Sequence, residues 1–526
     1  MKKFICKATS IILILTIILL TIGCQSKDDN SPIIKTDDKY SIDTLKIEGG
    51  KDWGIPNPYL HTSRGPGNAK KNLVYASLLE KDETHDVPWL AKEWSFTGNE
   101  YTFTLFDGLT FHDGHKLTTE DVGFSIDYYR EFPPVSSSLG VGEKFIVERY
   151  EIVDETTIKI YVKDVNANTL NALGSFVIIP KHIWENVDDP YKYKGEGYLV
   201  GSGAYRYGDY DGASGSYEFI AFDGWVNGAP AAERILFVPV SDNVLAFENG
   251  EIDITKMPPD LKGKYLNDEK IGYVEKTNDM GYKLLVNFEK CPEFLDKELR
   301  QAIYYALDRQ SIVDKVFRGM GTVGSAGYVP KDTLFYNPEV TQYPYDEAKA
   351  KEIIGARTFS VNLLSSDSSK DLAVAEIIKN NLEAVGFTVN VVAYDSATRD
   401  NMINSGEYEF AIVSNGGWGN NPPNYMRTIF SDISKNKGGN PHNMGPIGYE
   451  NKKLTELCEN QVFETDFEKR KQMFMDIEKL VSDEIPLFVI ANESSYSVYR
   501  KNYFDGWMKT YAYSQAEQNR LSFMKR

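Results

Sequence analysis

Val87-Pro-Trp-Leu-Ala-Lys-Glu-Trp94 leads to Tyr101-Thr-Phe-Thr-Leu105, then to Phe106-Asp-Gly-Leu-Thr-Phe-His-Asp-Gly114 and Leu117-Thr-Thr-Glu-Asp-Val122. Aromatic or aliphatic residues alternate with threonine over 101–105, the period of a half-buried strand. Asp107-Gly108 and Asp113-Gly114 are tight-turn signals that bracket a short strand. Thr118 or Thr119 can cap the helix that follows, and Glu120 and Asp121 suit the positive end of its dipole. Phe124, Ile126 and Tyr128 continue it.

On the N-terminal side, residues 69–79 carry Leu73, Ala76 and Leu79 at helical spacing, and residues 44–48 read as a strand. Trp53-Gly-Ile-Pro-Asn-Pro58 between them is a turn. Further out, Met1–Cys24 begins with Lys2, Lys3 and Lys7, and residues 11–22 form an apolar core before Gly23-Cys24. A basic start, a short apolar run and a small residue before the cut describe a secretory signal, and the run is short for a membrane span. The polar stretch 25–40 reads as a flexible tether.

Removing the signal from 526 residues leaves enough chain for two or three domains. The signal holds three lysines and no acid, so its loss takes the net charge from −18 to −21. That balance excludes nucleic acid as a partner and opposes docking on anionic lipid. Beyond Cys6 and Cys24 only Cys291 and Cys458 remain, with no metal-ligand spacing. CxxC, HExxH, Walker-type and GxSxG patterns are missing, which points away from the common catalytic classes. With 33 Tyr and 7 Trp, the chain can line a large cleft with rings that carry both an apolar face and a polar edge.

The opening block resembles the signature of the family 5 extracellular solute-binding proteins, the peptide- and nickel-type receptors of ATP-binding cassette importers. Pro88, Leu90, Ala91, Trp94, Tyr101-Thr102-Phe103, Leu105, Gly108, Phe111-His112-Asp113-Gly114, Leu117-Thr118, Asp121-Val122 and Phe124-Ser125 carry it. The likeness continues through Val200-Gly-Ser-Gly-Ala-Tyr205, with Ala204 for the usual Pro, and Ala246 to Asp253. It extends over Asn287-Phe288, Arg300-Gln-Ala-Ile303, Ala306-Leu-Asp-Arg309 and Tyr345 to Ala350, with Glu347 for Pro. Residues 377–386 read as an amphipathic helix closed by a C-cap glycine, followed by a strand over 387–392. The Gly-Cys junction resembles a lipoprotein box, although Thr21 stands where Leu is usual. It implies cleavage before Cys24 and an acyl anchor there.

The resemblance implies a periplasmic-binding-protein-like α/β fold of two hinged lobes plus an extra domain. Lobe I is then 41–82, 198–290 and 500–526, the extra domain II is 83–197, and lobe III is 291–499. Residues 1–23 are signal and 24–40 tether. Ligand contacts are expected from Trp418, Asn415, Asn420, Asn421 and Tyr425 in lobe III and from Trp53 and Asp52 in lobe I. Peptide-binding relatives place an aspartate three residues after the tryptophan, where it meets the ligand's ammonium. Asn421 holds that position here and supplies no countercharge. Nickel-type relatives complete the metal with a loop histidine, for which His442 is the candidate. His112 and His115 belong to the signature turn and read as structural.

The expected function is a lipid-anchored, extracytoplasmic solute-binding subunit, monomeric, without enzymatic activity or cofactor. It would deliver an oligopeptide or peptide-like solute to a permease powered by separate ATPase subunits. An uncharged saccharide or a nickel–chelator complex is the alternative cargo, and an extracellular sensor or adhesin is the alternative of another class.

Overall fold

The computed structural model describes residues 40–526 apart from 63–65, 84, 332, 334, 417–425, 427–428, 431–445, 509–515 and 526; at 277–280, 415 and 416 only the backbone is described. Its strands are β1 (Ile42–Glu48), β2 (Leu79–Lys81), β3 (Asp86–Pro88), β4 (Ala91–Thr97), β5 (Glu100–Leu105), β6 (Val147–Ile152), β7 (Thr157–Val162), β8 (Tyr205–Asp211) and β9 (Ser216–Ala221). They continue with β10 (Ala232–Val238), β11 (Ile254–Lys256), β12 (Ile271–Val286), β13 (Gly321–Val323), β14 (Phe359–Ser366), β15 (Phe387–Tyr394), β16 (Phe410–Gly416) and β17 (Phe488–Arg500).

The signature block builds a four-stranded antiparallel sheet in the order β4-β5-β7-β6. Tyr101, Phe103 and Leu105 of β5 point into the core while the intervening threonines do not, as the alternation requires. The following helix, Thr119–Glu131, starts with a capping box: the Glu120 amide donates to the Thr118 hydroxyl, and the Thr118 amide donates to the Asp121 carboxylate at 2.9 Å. Between the two Asp-Gly turns there is no ladder, only an isolated pairing of Thr110 with Lys116. The helix expected over 69–79 spans Pro66–Val74 instead. Its C-terminal part is diverted to pairing, since Ser77 bridges Val177 and Leu79 opens β2 against β3.

The second sheet has eleven strands, ordered β15-β14-β16-β12-β17-β11-β1-β10-β9-β8, with β13 also paired to β17. β12 and β17 are its two long members and run antiparallel through its middle. One end of this ladder lies beside β11, β1 and β10; the other lies beside β16, β14 and β15. Between Lys276 and Met280 the register shifts, a bulge where two stretches of ladder meet.

Successive residues in the C-terminal half feed opposite cores. Leu284, Leu363, Ile412 and Ile490 enter one, while Leu285, Leu364, Val413 and Val489 enter the other. A sheet covered on both faces needs unbroken apolar runs such as Leu284-Leu285-Val286, and each such side chain contributes about 2 kcal/mol when buried. Arg300, 1% exposed, is held at the edge of this core by the carbonyls of Phe294, Leu295 and Glu484, each 2.7–2.9 Å away.

Candidate functional site

In α/β sheets ligands gather at the carboxyl ends of parallel strands. β1 runs parallel to β10 and to β11, and a cavity of about 460 Å³ opens beyond their carboxyl ends. Glu48, Gly49 and Gly50 after β1, Pro239 and Val240 after β10, and Thr255 and Lys256 of β11 line it. The crossing strands supply Val274, Lys276, Ser495 and Ser497, and the C-terminal segment supplies Glu517.

The loop after β1 approaches its neighbours closely: a Cβ at Gly50 would sit 2.1 Å from the Pro239 nitrogen, so only glycine fits. Trp53 lines the cavity half-buried, and its indole N–H donates to the Gly50 carbonyl at 2.8 Å. Its own amide donates to the Tyr217 hydroxyl, and its carbonyl accepts from the Thr62 amide, both at 2.9 Å. Those backbone groups are spent inside the protein, so Trp53 offers a ring rather than a ladder partner. Asp52 is exposed, is absent from the cavity lining, and accepts from the Gly54 amide at 2.8 Å, which shapes the turn. Lys70 supports the loop from below, donating to the Gly49 carbonyl at 2.7 Å over the Phe237 ring; burial lowers its pKa to about 7.

Glu517 is half-buried, and one of its carboxylate oxygens is shut off from solvent without a hydrogen-bond partner. Burial raises its pKa, while Lys276 and Lys256 nearby oppose the rise. The cavity therefore carries ammonium and carboxylate groups together, with an aromatic ring beside them. Nothing local in the sequence marks Lys256, Lys276 or Glu517; the two lysines are brought together by pairings with β17 that span more than two hundred residues.

Across the crossing strands a second polar group collects where β14 ends. Ser366, Ser368, Asp371 and Arg399 gather there, and Tyr282 of β12 reaches Asp371. Lys370 binds Glu493 of β17 at 2.7 Å. The Asn415 backbone belongs to β16 and pairs with Gly281. Trp418, Asn420, Asn421, Tyr425, His442 and Cys24 lie outside the described residues.

The signature turn does structural work through His112. Its Nε2 donates to the Gly203 carbonyl at 2.9 Å and its Nδ1 accepts from the Gly201 amide at 3.3 Å, knitting the turn to residues 200–205. Desolvation lowers its pKa to about 4, so it stays neutral. His115 is not tied in this way and meets Asp113 and His182 at the surface. Another cavity, of about 520 Å³, lies by helix 66–74 and the buried Lys71 and Arg520; none of the predicted site residues lines it.

The chain as a whole is similar to known solute-binding proteins. Residues 87–437, about two thirds of the chain, match the family model described as bacterial extracellular solute-binding proteins, family 5. The heme-binding protein A of Haemophilus influenzae is 25% identical, over 82% of this chain and 83% of its own length. The dipeptide-binding protein of Escherichia coli is also 25% identical, over 85% and 88%. Among solved structures, an ABC transporter substrate-binding protein from Listeria monocytogenes superposes with a TM-score of 0.73 at 25% identity, covering 92% of this chain and 99% of that one.

Proposed function

The chain belongs to the family 5 extracellular solute-binding proteins, and from that premise we propose that it captures a peptide or peptide-like solute and passes it to a membrane permease. The family's members are non-enzymatic, extracytoplasmic components of ABC importers, so ATP is spent by another subunit. The two lobes, with domain II attached to the first, close on the solute by bending the β12–β17 ribbon at the Lys276–Met280 register shift. An acyl chain on Cys24 keeps the receptor beside its permease; Cys24→Ser should release it to the medium, and a variant that stays in the membrane fraction refutes the anchor.

The observation that carries the cargo assignment is the cavity holding Trp53 with Lys256, Lys276 and Glu517 around it. Ammonium and carboxylate groups beside an aromatic ring are the convergent polar contacts that a zwitterion with a side chain can use. Relatives of equal identity bind heme and a dipeptide respectively, so likeness alone does not choose between cargoes. Asn421, where an ammonium-binding carboxylate is usual, favours a second reading in which the solute is uncharged and saccharide-like.

Native mass spectrometry of protein purified from its host weighs a retained solute directly. Titration with di- and tripeptides, N-acetylated peptides and oligosaccharides, followed by tryptophan fluorescence, separates the readings. Tighter binding of free-amine peptides supports the first; binding of neutral sugars alone overturns it.

A further inference from the structure

On the face formed by the signature turn and the helix Lys181–Trp184, three donor groups converge. His182 Nε2 lies 2.8 Å from Asp113 Oδ2, and His115 Nδ1 lies 3.2 Å from the same oxygen. The two imidazoles stack with centroids 3.9 Å apart, and one ligand atom from each of the three residues lies within 4.8 Å of the others. Bonds of about 2.0–2.1 Å to a tetrahedral ion would set neighbouring donors about 3.3 Å apart, close to this spacing. The carboxylate is already aimed: its Oδ1 accepts from the His115 amide at 3.1 Å, leaving Oδ2 for both rings. His182 is backed by the buried Phe111 ring at 5.8 Å.

We propose that Asp113, His115 and His182 form a surface site for a divalent transition metal of the zinc class, separate from the solute cavity. Two imidazole nitrogens and one carboxylate oxygen are the donor set such ions take, and the fourth position faces water. One dication satisfies the two ring nitrogens and the carboxylate oxygen together. The ion would clip the turn to the helix, two pieces about seventy residues apart in sequence.

The test uses the full mature chain, stripped with a chelator and titrated with Zn²⁺ by calorimetry and with Co²⁺ by visible absorption. The expected result is one site whose affinity falls at least tenfold in His115→Gln and in His182→Gln, with loss of the Co²⁺ d–d bands. Zn²⁺ should also raise the melting temperature of the wild type but not of His115→Gln, whose exposed ring can be replaced without disturbing the fold. His442→Gln should retain the site. Full affinity in the His115→Gln/His182→Gln double variant, or no binding up to millimolar Zn²⁺, overturns the proposal.

Discussion

Tyr282 of the crossing strand β12 donates its hydroxyl to Asp371, in the first turn of helix Ser369–Glu383, across 3.2 Å. The other carboxylate oxygen accepts from the Ser366 hydroxyl at 2.6 Å and lies 3.7 Å from the Arg399 guanidinium. The strand that joins the two halves of the sheet is thereby fastened to the first turn of that helix.

Asp371→Ala should therefore destabilise the protein by about 3 kcal/mol, because it removes one of two carboxylates beside a buried arginine and the acceptor of the Ser366 hydroxyl. Tyr282→Phe should cost only about 1 kcal/mol, since Ser366 still holds the carboxylate. Urea unfolding of both variants checks the order, and equal losses would refute this account of the network.

Arg300 fastens the start of the C-terminal core. Arg300→Met keeps much of the volume but strands three carbonyls and takes one partner from the Glu484 carboxylate, which keeps the Tyr449 hydroxyl, so a loss of about 3 kcal/mol is expected. Arg300→Lys should recover little, because one ammonium cannot span the same fan of acceptors. A lysine variant with wild-type stability would show that charge alone suffices.

Glu478 is fully buried; the Asn337 amide approaches it, yet neither carboxylate oxygen makes a hydrogen bond. Burial pushes its pKa up from 4.5 to about 9. The folded state thus takes up a proton between those values, and this residue's contribution to stability falls as pH rises through that window. Glu478→Gln removes the penalty and should stabilise by on the order of 3 kcal/mol near neutral pH, with the gain vanishing below the unfolded carboxyl pKa. Chemical denaturation at several pH values reads this directly. A gain that does not change with pH would mean that packing, not ionisation, is responsible.

Solute binding should respond to Glu517 according to charge. Glu517→Gln is expected to weaken an amine-bearing peptide at least fivefold and to leave its N-acetylated form unchanged. Tyr217→Phe should weaken both alike, because the hydroxyl that accepts from Trp53 and donates to the Gly54 carbonyl at 3.0 Å fixes the loop rather than the charge. Fluorescence titration of the two variants separates these effects, and an equal loss for both peptides in Glu517→Gln would remove it from the site.

The local elements were legible wherever the chemistry is local. The alternation at 101–105 and the Thr118 cap both follow from neighbouring residues, and the structure has each of them. The helix expected over 69–79 stops at Val74 because Ala76 and Leu79, at helical spacing from Leu73, are buried outside the helix in a segment that pairs with strands. The cavity was legible only at Trp53, which sits in a recognisable turn. Lys276 and Ser495 meet as partners across a ladder, and His182 reaches Asp113 from a helix about seventy residues away, so no short window could display them.

Cys291 and Cys458 are both buried and unpaired, in the cores on opposite faces of the C-terminal sheet. Burial raises the pKa of both thiols, to about 12 for Cys291, which keeps the reactive thiolate scarce. Neither of these two thiols therefore calls for an oxidant as the chain matures. Once folded, its thiols should resist alkylation in the absence of denaturant, and its melting temperature should be the same with and without a reductant.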